Sequence, residues 1–360
     1  MRGPFLGLSL AASMGCGMAE RPGFTGYEPG ITSVSDAGAA SSSGADSSSS
    51  TATPPDGSTS SSAGGPSGDD EGTVLDMGMP DFGEVGPGGC RGKIDFLFVI
   101  SPDSGMEDDQ ERLVTSFPGF ISSIQAHFPD FDVHIMSADG DGYWGMSDCS
   151  VCLEDCYKDS NPPHCGAMLD ACDLTYGAGV TFPAGKFASN RRCEFVGGHR
   201  YITSAEPDIA AAFACTAQVG VDGGGGVAQG MVEALDPEIN AKYGCNDGFL
   251  RDDALLVVVL IQGYIDIDSA GTPQDWIAAL RAAKHGDEDA FAVMVLATDA
   301  DLGEDNLCNP GEVQPENPLR ALVNGVEHGF IDSICRDSYV PFFDVMVGEV
   351  VQLCNDLVPG

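Results

Sequence analysis

Residues 93–113 read KIDFLFVISPDSGMEDDQERL. The first eight are almost continuously apolar, as a strand covered on both faces must be, since a strand with one wet face would alternate. Past the polar turn 101–106 the period changes. Leu113, Phe117, Phe120, Ile121 and Ile124 recur at helical spacing, so residues 108–127 are expected to form a helix. Pro118 falls inside it and is expected to kink or restart it, because proline lacks an N–H and crowds the preceding turn.

The same two patterns repeat outward from this stretch. Residues 132–137 (DVHIMS) and 290–297 (AFAVMVLA) read as further strands, and 254–261 (ALLVVVLI) is the strongest buried strand in the chain. Residues 273–284 read as a helix with Trp276, Ile277 and Leu280 as its buried stripe and Pro273 in its first turn. Residues 339–357 close the chain as an apolar helix that carries Cys354. Strand and helix in alternation argue for an α/β fold, a doubly wound and mostly parallel sheet with helices on both faces. Ligands of such sheets sit at the carboxyl ends of the strands, here the segment that opens at Ser101.

DFLFVISPDSGMEDDQERL at 95–113 resembles the first strand, loop and helix of von Willebrand factor type A domains, especially those of bacterial surface lipoproteins. FACTAQVGVDGGGGVAQGMVEAL at 213–235, FLRDDALLVVVLI at 249–261 and GFIDSIC at 329–335 look like later segments of that group, in the expected order. The resemblance implies a Rossmann-like fold across most of 93–356. It also implies a cation site, in which the first loop reads Asp-x-Ser-x-Ser and a Thr and an Asp from two later loops complete the coordination. A hard ion such as Mg²⁺ or Ca²⁺ needs such oxygen ligands.

This chain departs from that pattern at every position. The aligned first loop offers Ser101, Asp103 and Gly105, with Ser104 between the last two; the Thr loop corresponds to residues 219–226, which contain Asp222 but no Thr. The final Asp falls near Gln262 and Gly263. Asp103, with Asp266 or Asp268, is the set from which a divalent-cation site could be rebuilt, so the adhesion site is expected to be degenerate and the binding metal-independent.

Thirteen Cys is an odd number for an exported chain, and assigning Cys16 to lipidation leaves twelve: Cys90, Cys149, Cys152, Cys156, Cys165, Cys172, Cys193, Cys215, Cys245, Cys308, Cys335 and Cys354. In an oxidising compartment these read as up to six disulfides whose pairing the sequence does not give. Six of them lie between 149 and 193 in a Gly-, Pro- and Asn-rich stretch, so 139–200 reads as a disulfide-rich insertion. Cys149, Cys152, Cys156 and Cys165 with His164 could instead be drawn as a zinc cluster, the weaker reading in an oxidising compartment. Asp139-Gly140-Asp141-Gly142 lacks the later ligands of a calcium loop and reads as a turn.

Residues 1–16 have the form of a lipoprotein-type export signal: one Arg, a short apolar run, then Ser-Met-Gly-Cys ending at Cys16. Residues 17–89 are rich in Ser, Gly and Ala and read as a disordered tether, leaving 90–360 as the folded domain. About 70 residues of such coil would span roughly 45 Å, enough to hold the domain clear of a membrane. The expected location is therefore exported, at the outer membrane or cell surface, with the membrane engaged through the lipid alone.

With 55 Asp and Glu against 16 Lys and Arg, the formal charge is −39, which excludes nucleic acid and anionic lipid as partners. No Gly-x-Ser-x-Gly, His-Glu-x-x-His or P-loop pattern is present, and His127, His134, His164, His199, His285 and His328 stand apart from any catalytic partner. The expected function is a non-enzymatic binding or adhesion module for a protein or surface ligand. A secreted or periplasmic hydrolase with an unrecognised site, and a scaffold subunit of an envelope complex, are the alternatives.

Overall fold

Two central strands, β1 (Lys93–Ile100) and β4 (Leu255–Gln262), pair in parallel with Ile94 opposite Leu255 and Ile100 opposite Ile261. Every β4 residue is buried, which is why its sequence carries no polar alternation. A computed structural model describes residues 92–142, 144 and 169–356. The proposed lipidation at Cys16, the tether 17–89, and Cys90, Cys149, Cys152, Cys156 and Cys165 with His164 lie outside the described residues.

The sheet has six strands in the order β3-β2-β1-β4-β5-β6, where β2 is Asp132–Asp139, β3 Ile202–Thr203, β5 Phe291–Ala297 and β6 Gly329–Ser333. All pairings are parallel except β2 with β3, a two-residue antiparallel edge strand. The fold is thus a doubly wound α/β sheet, mostly parallel, as its apolar runs imply.

One face is covered by α1 (Glu107–His127), α2 (Ile209–Ala217) and α7 (Val340–Asp356), whose Phe117, Phe213 and Phe342 pack on Phe96, Phe98 and Val257. The other carries α3 (Val227–Ala234), α5 (Pro273–Ala283) and α6 (Pro318–Asn324), with Met231, Leu280 and Leu322 against Leu97, Val99 and Val258. A single turn, α4 (Pro237–Asn240), follows α3. Each fully buried Phe or Leu contributes roughly 2 kcal/mol of apolar burial.

Pro118 does not restart α1, which runs unbroken for 21 residues. The residues flanking it explain why. Phe117 stacks on Phe213, with ring centroids 3.7 Å apart and planes 12° apart, and Phe120 stacks on Phe343 at 4.9 Å. Burial of two aromatic rings offsets the roughly 3 kcal/mol that an interior proline costs.

The described part of the Cys-rich stretch is joined to the rest of the domain. Cys172 is bonded to Cys245, ahead of β4, and Cys193 to Cys215 in α2, while Cys308–Cys335 links the loop after β5 to the end of β6. Cys354 in α7 is disulfide-bonded as well. An ionic knot adds to these links: Asp173 is held by Arg192 at 2.7 Å and by Arg200 at 2.9 Å. Burial opposes its charge, but these two guanidiniums hold its carboxyl below the usual range.

Candidate functional site

Beyond Ile100 the chain stays tied to the sheet for one more residue, as Ser101 N donates to Ile261 O at 2.9 Å. Ser101 is fully buried, and its Oγ accepts from Asp103 N at 3.1 Å, which turns the chain out of the sheet. Gln110 of α1 laces this turn to the loop between α2 and α3: Nε2 donates to Ser101 O and Gly220 O, and Oε1 accepts from Gly220 N. Gly223 N then donates to Pro102 O at 2.9 Å. The result is a rigid floor at the carboxyl ends of β1, β2 and β4.

Asp103 rises half-exposed from this floor. Desolvation, and then the charges of Asp268, Asp141 and Asp266, push its carboxyl above the usual range, against a hydrogen bond from Gln262 that favours the ionised form. Gln262 is the last residue of β4, 1% exposed, and its Nε2 also donates to Gly225 O at 2.7 Å. The glycine quartet 223–226 follows from this crowding. A Cβ at Gly223 would overlap Asp141 Oδ2 and Pro102, and one at Gly225 would overlap Asp103 Oδ2 and Gln262 Nε2.

The residues expected from sequence divide into three groups. Asp103, Asp266, Asp268 and Gln262 converge. Asp266 is 2% exposed and already committed, accepting from Ala228 N at the start of α3 and from Ser269 N and Oγ. Ser104 and Gly105 are exposed on the rim, Gly105 beneath the Tyr264 hydroxyl, and neither of them is tied to Asp103. Asp222 accepts from Lys186 N at 2.7 Å.

Sequence reading missed Asp141, which belongs to the cluster rather than only to a turn. Its Oδ2 accepts from Gly224 N at 2.6 Å, and its charge reaches Asp103. The signal was positional: Asp141 follows β2, the strand beside β1, so its loop must meet the loop after β1. The loops after β4 and β5 carry exposed apolar residues: Tyr264, Ile267 at 79% exposure, Leu302 and Leu307.

These donors do not fit an octahedral cage for Mg²⁺. Ser101 Oγ is turned to a backbone N–H, Gly105 has no side-chain donor, and residues 219–226 have no hydroxyl. At the third corner the Gln262 amide presents N–H groups to Asp103 and Gly225 O, while its Oε1 is buried without a partner. A hard cation needs oxygen there, and meets a donor. The cluster is chemically a patch of self-repelling carboxylates. Among the described residues, Asp289, Glu327 and His328 form a group that could hold a divalent cation, at the opposite end of the sheet.

No family model matches the chain, and no curated protein matches it. Solved structures similar to it include proximal thread matrix protein 1 from the mussel byssus in its crystal form 2, at 11% identity and a TM-score of 0.36, covering 74% of this chain and 49% of that one. The same protein with a zinc-occupied MIDAS motif matches at 13% identity and a TM-score of 0.34, with shares of 74% and 49%. The pilus adhesin SpaC from Lactobacillus rhamnosus GG, in its open conformation, matches at 12% identity and 0.35, covering 74% of this chain and 31% of that one. The chain thus spans about half of those proteins or less, and similarity at this level says nothing of what it binds.

Proposed function

We propose that the chain is a non-enzymatic recognition module that binds a basic protein or surface ligand directly, without a bridging metal ion. One observation carries this reading: Asp103, its charge raised in energy by desolvation and then by Asp268, Asp141 and Asp266, is met by an N–H donor from Gln262 rather than by an oxygen. A lysine or arginine from a partner would relieve that repulsion, and Tyr264 and Ile267 would pack around its apolar stem. The poor fit to a hard cation and the exposed Tyr264 and Ile267 on the loop after β4 support the same reading.

Hydroxyls near the cluster support a non-catalytic role, because Ser101 and Ser269 are engaged by Asp103 N and Asp266. His134 is the buried imidazole among the described histidines, and it sits at the other end of the sheet against Phe249 O. In this reading the module is exported, anchored through Cys16 and carried on the 17–89 tether, and its disulfides suit such a compartment.

The test is capture from envelope extracts by the full-length oxidised chain in the presence of a chelator. Asp103→Asn combined with Tyr264→Ala should abolish capture of the partner, with each single change costing roughly 1–2 kcal/mol of binding. Capture that requires added Mg²⁺, or that survives the double change, overturns the proposal.

A further inference from the structure

The parallel pairing of β5 and β6 brings together three residues that lie far from the acidic loops. Asp289 sits in the turn that enters β5, and Glu327 and His328 sit in the turn that enters β6, with Val293 opposite Gly329 in the ladder. Their potential ligating atoms all lie within 4.8 Å of one another. His328 Nε2 is 3.3 Å from Asp289 Oδ1.

The backbone beneath them is fixed. Val293 N donates to His328 O at 2.8 Å, and Asp289 N donates to Asp287 Oδ1 at 3.1 Å. Gly329 is pressed against Val323 O so closely that a side chain at that position would collide with it. The three side chains therefore project from sheet ends rather than from a free loop. His328 is 20% exposed and Asp289 59%, which leaves the group open to solvent on one side.

One imidazole and two carboxylates make a donor set of intermediate hardness. Mg²⁺ and Ca²⁺ prefer six or more oxygens, whereas Zn²⁺ takes mixed nitrogen and oxygen ligands at about 2.0–2.2 Å. Two ligands at that distance from a tetrahedral ion stand about 3.4 Å apart, close to the separation of His328 and Asp289. The chain's net charge of −39 also concentrates dications at its surface. We propose that Asp289, Glu327 and His328 form a binding site for a borderline transition dication of the Zn²⁺ class, with the fourth position open to water or to a ligand from another molecule. The site is independent of the acidic loop face.

The test uses the full-length, disulfide-intact chain, stripped with a chelator and titrated with Zn²⁺ by calorimetry at near-physiological salt. One saturable site is expected. His328→Gln and Glu327→Gln should each weaken it by roughly tenfold or more, at least what outer-shell changes cost at metal sites. Asp103→Asn should leave it unchanged, and excess Mg²⁺ should not displace the ion. Far-ultraviolet circular dichroism of each variant checks that a lost site is not a lost fold. Absence of stoichiometric Zn²⁺ binding overturns the proposal. So does a site that survives His328→Gln.

Discussion

The side-chain amide of Gln262 hydrogen-bonds the carboxylate of Asp103 across the ends of β4 and β1, so a neutral donor faces the acid there. Replacing that donor with an acid should create cation affinity. In Gln262→Asp, two carboxylates would face one another across the strand ends. Without metal the variant should lose about 1–3 kcal/mol of stability, from the lost bond to Gly225 O and the added repulsion. Millimolar Mg²⁺ should raise its melting temperature and leave the unmodified chain unmoved. Equal responses of the two chains to Mg²⁺ would refute the misfit argument.

Two glycines separate crowding from chain entropy. Gly225→Ala would drive a methyl into Asp103 Oδ2 and Gln262 Nε2, and should cost about 1–3 kcal/mol in denaturant unfolding. Gly119 lies exposed in α1 with nothing within 4 Å of where its Cβ would stand. Gly119→Ala should therefore stabilise the protein by roughly 0.5–1 kcal/mol, the helical cost of glycine. The same substitution thus changes sign between a packed loop and a free helix surface, and two losses of similar size would contradict the reading of the quartet.

How much of this could be read in the sequence depended on whether a feature was local. β1, β4 and β5 were legible to within a residue, because strands buried on both faces carry unbroken apolar runs, and α1 was legible from Leu113 to Ile124. Pro118 misled, since the stacking partners Phe213 and Phe343 are distant in sequence. β3 is two residues long and gives no period to detect. Asp266 looked free to bind, yet it caps α3; Asp141 looked like part of a turn, yet it joins the site. Both depend on strand order, which no local pattern encodes.

Disulfide pairing was equally hidden, and it fixes how much each bond contributes. The Cys172–Cys245 bond closes 73 residues, against 27 for Cys308–Cys335 and 22 for Cys193–Cys215. If the chief effect is restriction of the unfolded chain, the double Ser variants should lose about 4.4 kcal/mol for the first pair and about 3.5 kcal/mol for each of the others. Denaturant midpoints under oxidising conditions measure the order. A larger loss from Cys193–Cys215 would mean that strain or residual structure in the unfolded state outweighs loop length.

The amino ends of the strands carry two titrations of opposite sign. Asp95 is fully buried in β1, where Arg251 donates to it from Nε at 2.8 Å and from its backbone N at 2.9 Å. Burial nonetheless pushes its carboxyl up to about 6. His134 lies 3.6 Å away with Nδ1–H directed to Phe249 O, and burial followed by the Arg251 charge lowers it to about 4. Stability contributed by Asp95 is complete below its unfolded pKa near 3.8 and is lost as pH rises through 6. That contributed by His134 is present above its unfolded value of 6.5 and is lost as pH falls through 4. The two slopes oppose each other between about pH 4 and 6. His134→Gln removes the term that favours higher pH, so melting temperature across that window should fall more steeply, or rise less, with increasing pH than in the unmodified chain. Asp95→Asn should tilt the profile the other way, although breaking the pair with Arg251 lowers it throughout by about 3–5 kcal/mol. Parallel pH profiles for His134→Gln and the unmodified chain would show that His134 titrates normally in the fold, and a proton NMR titration of its ring would locate the midpoint directly.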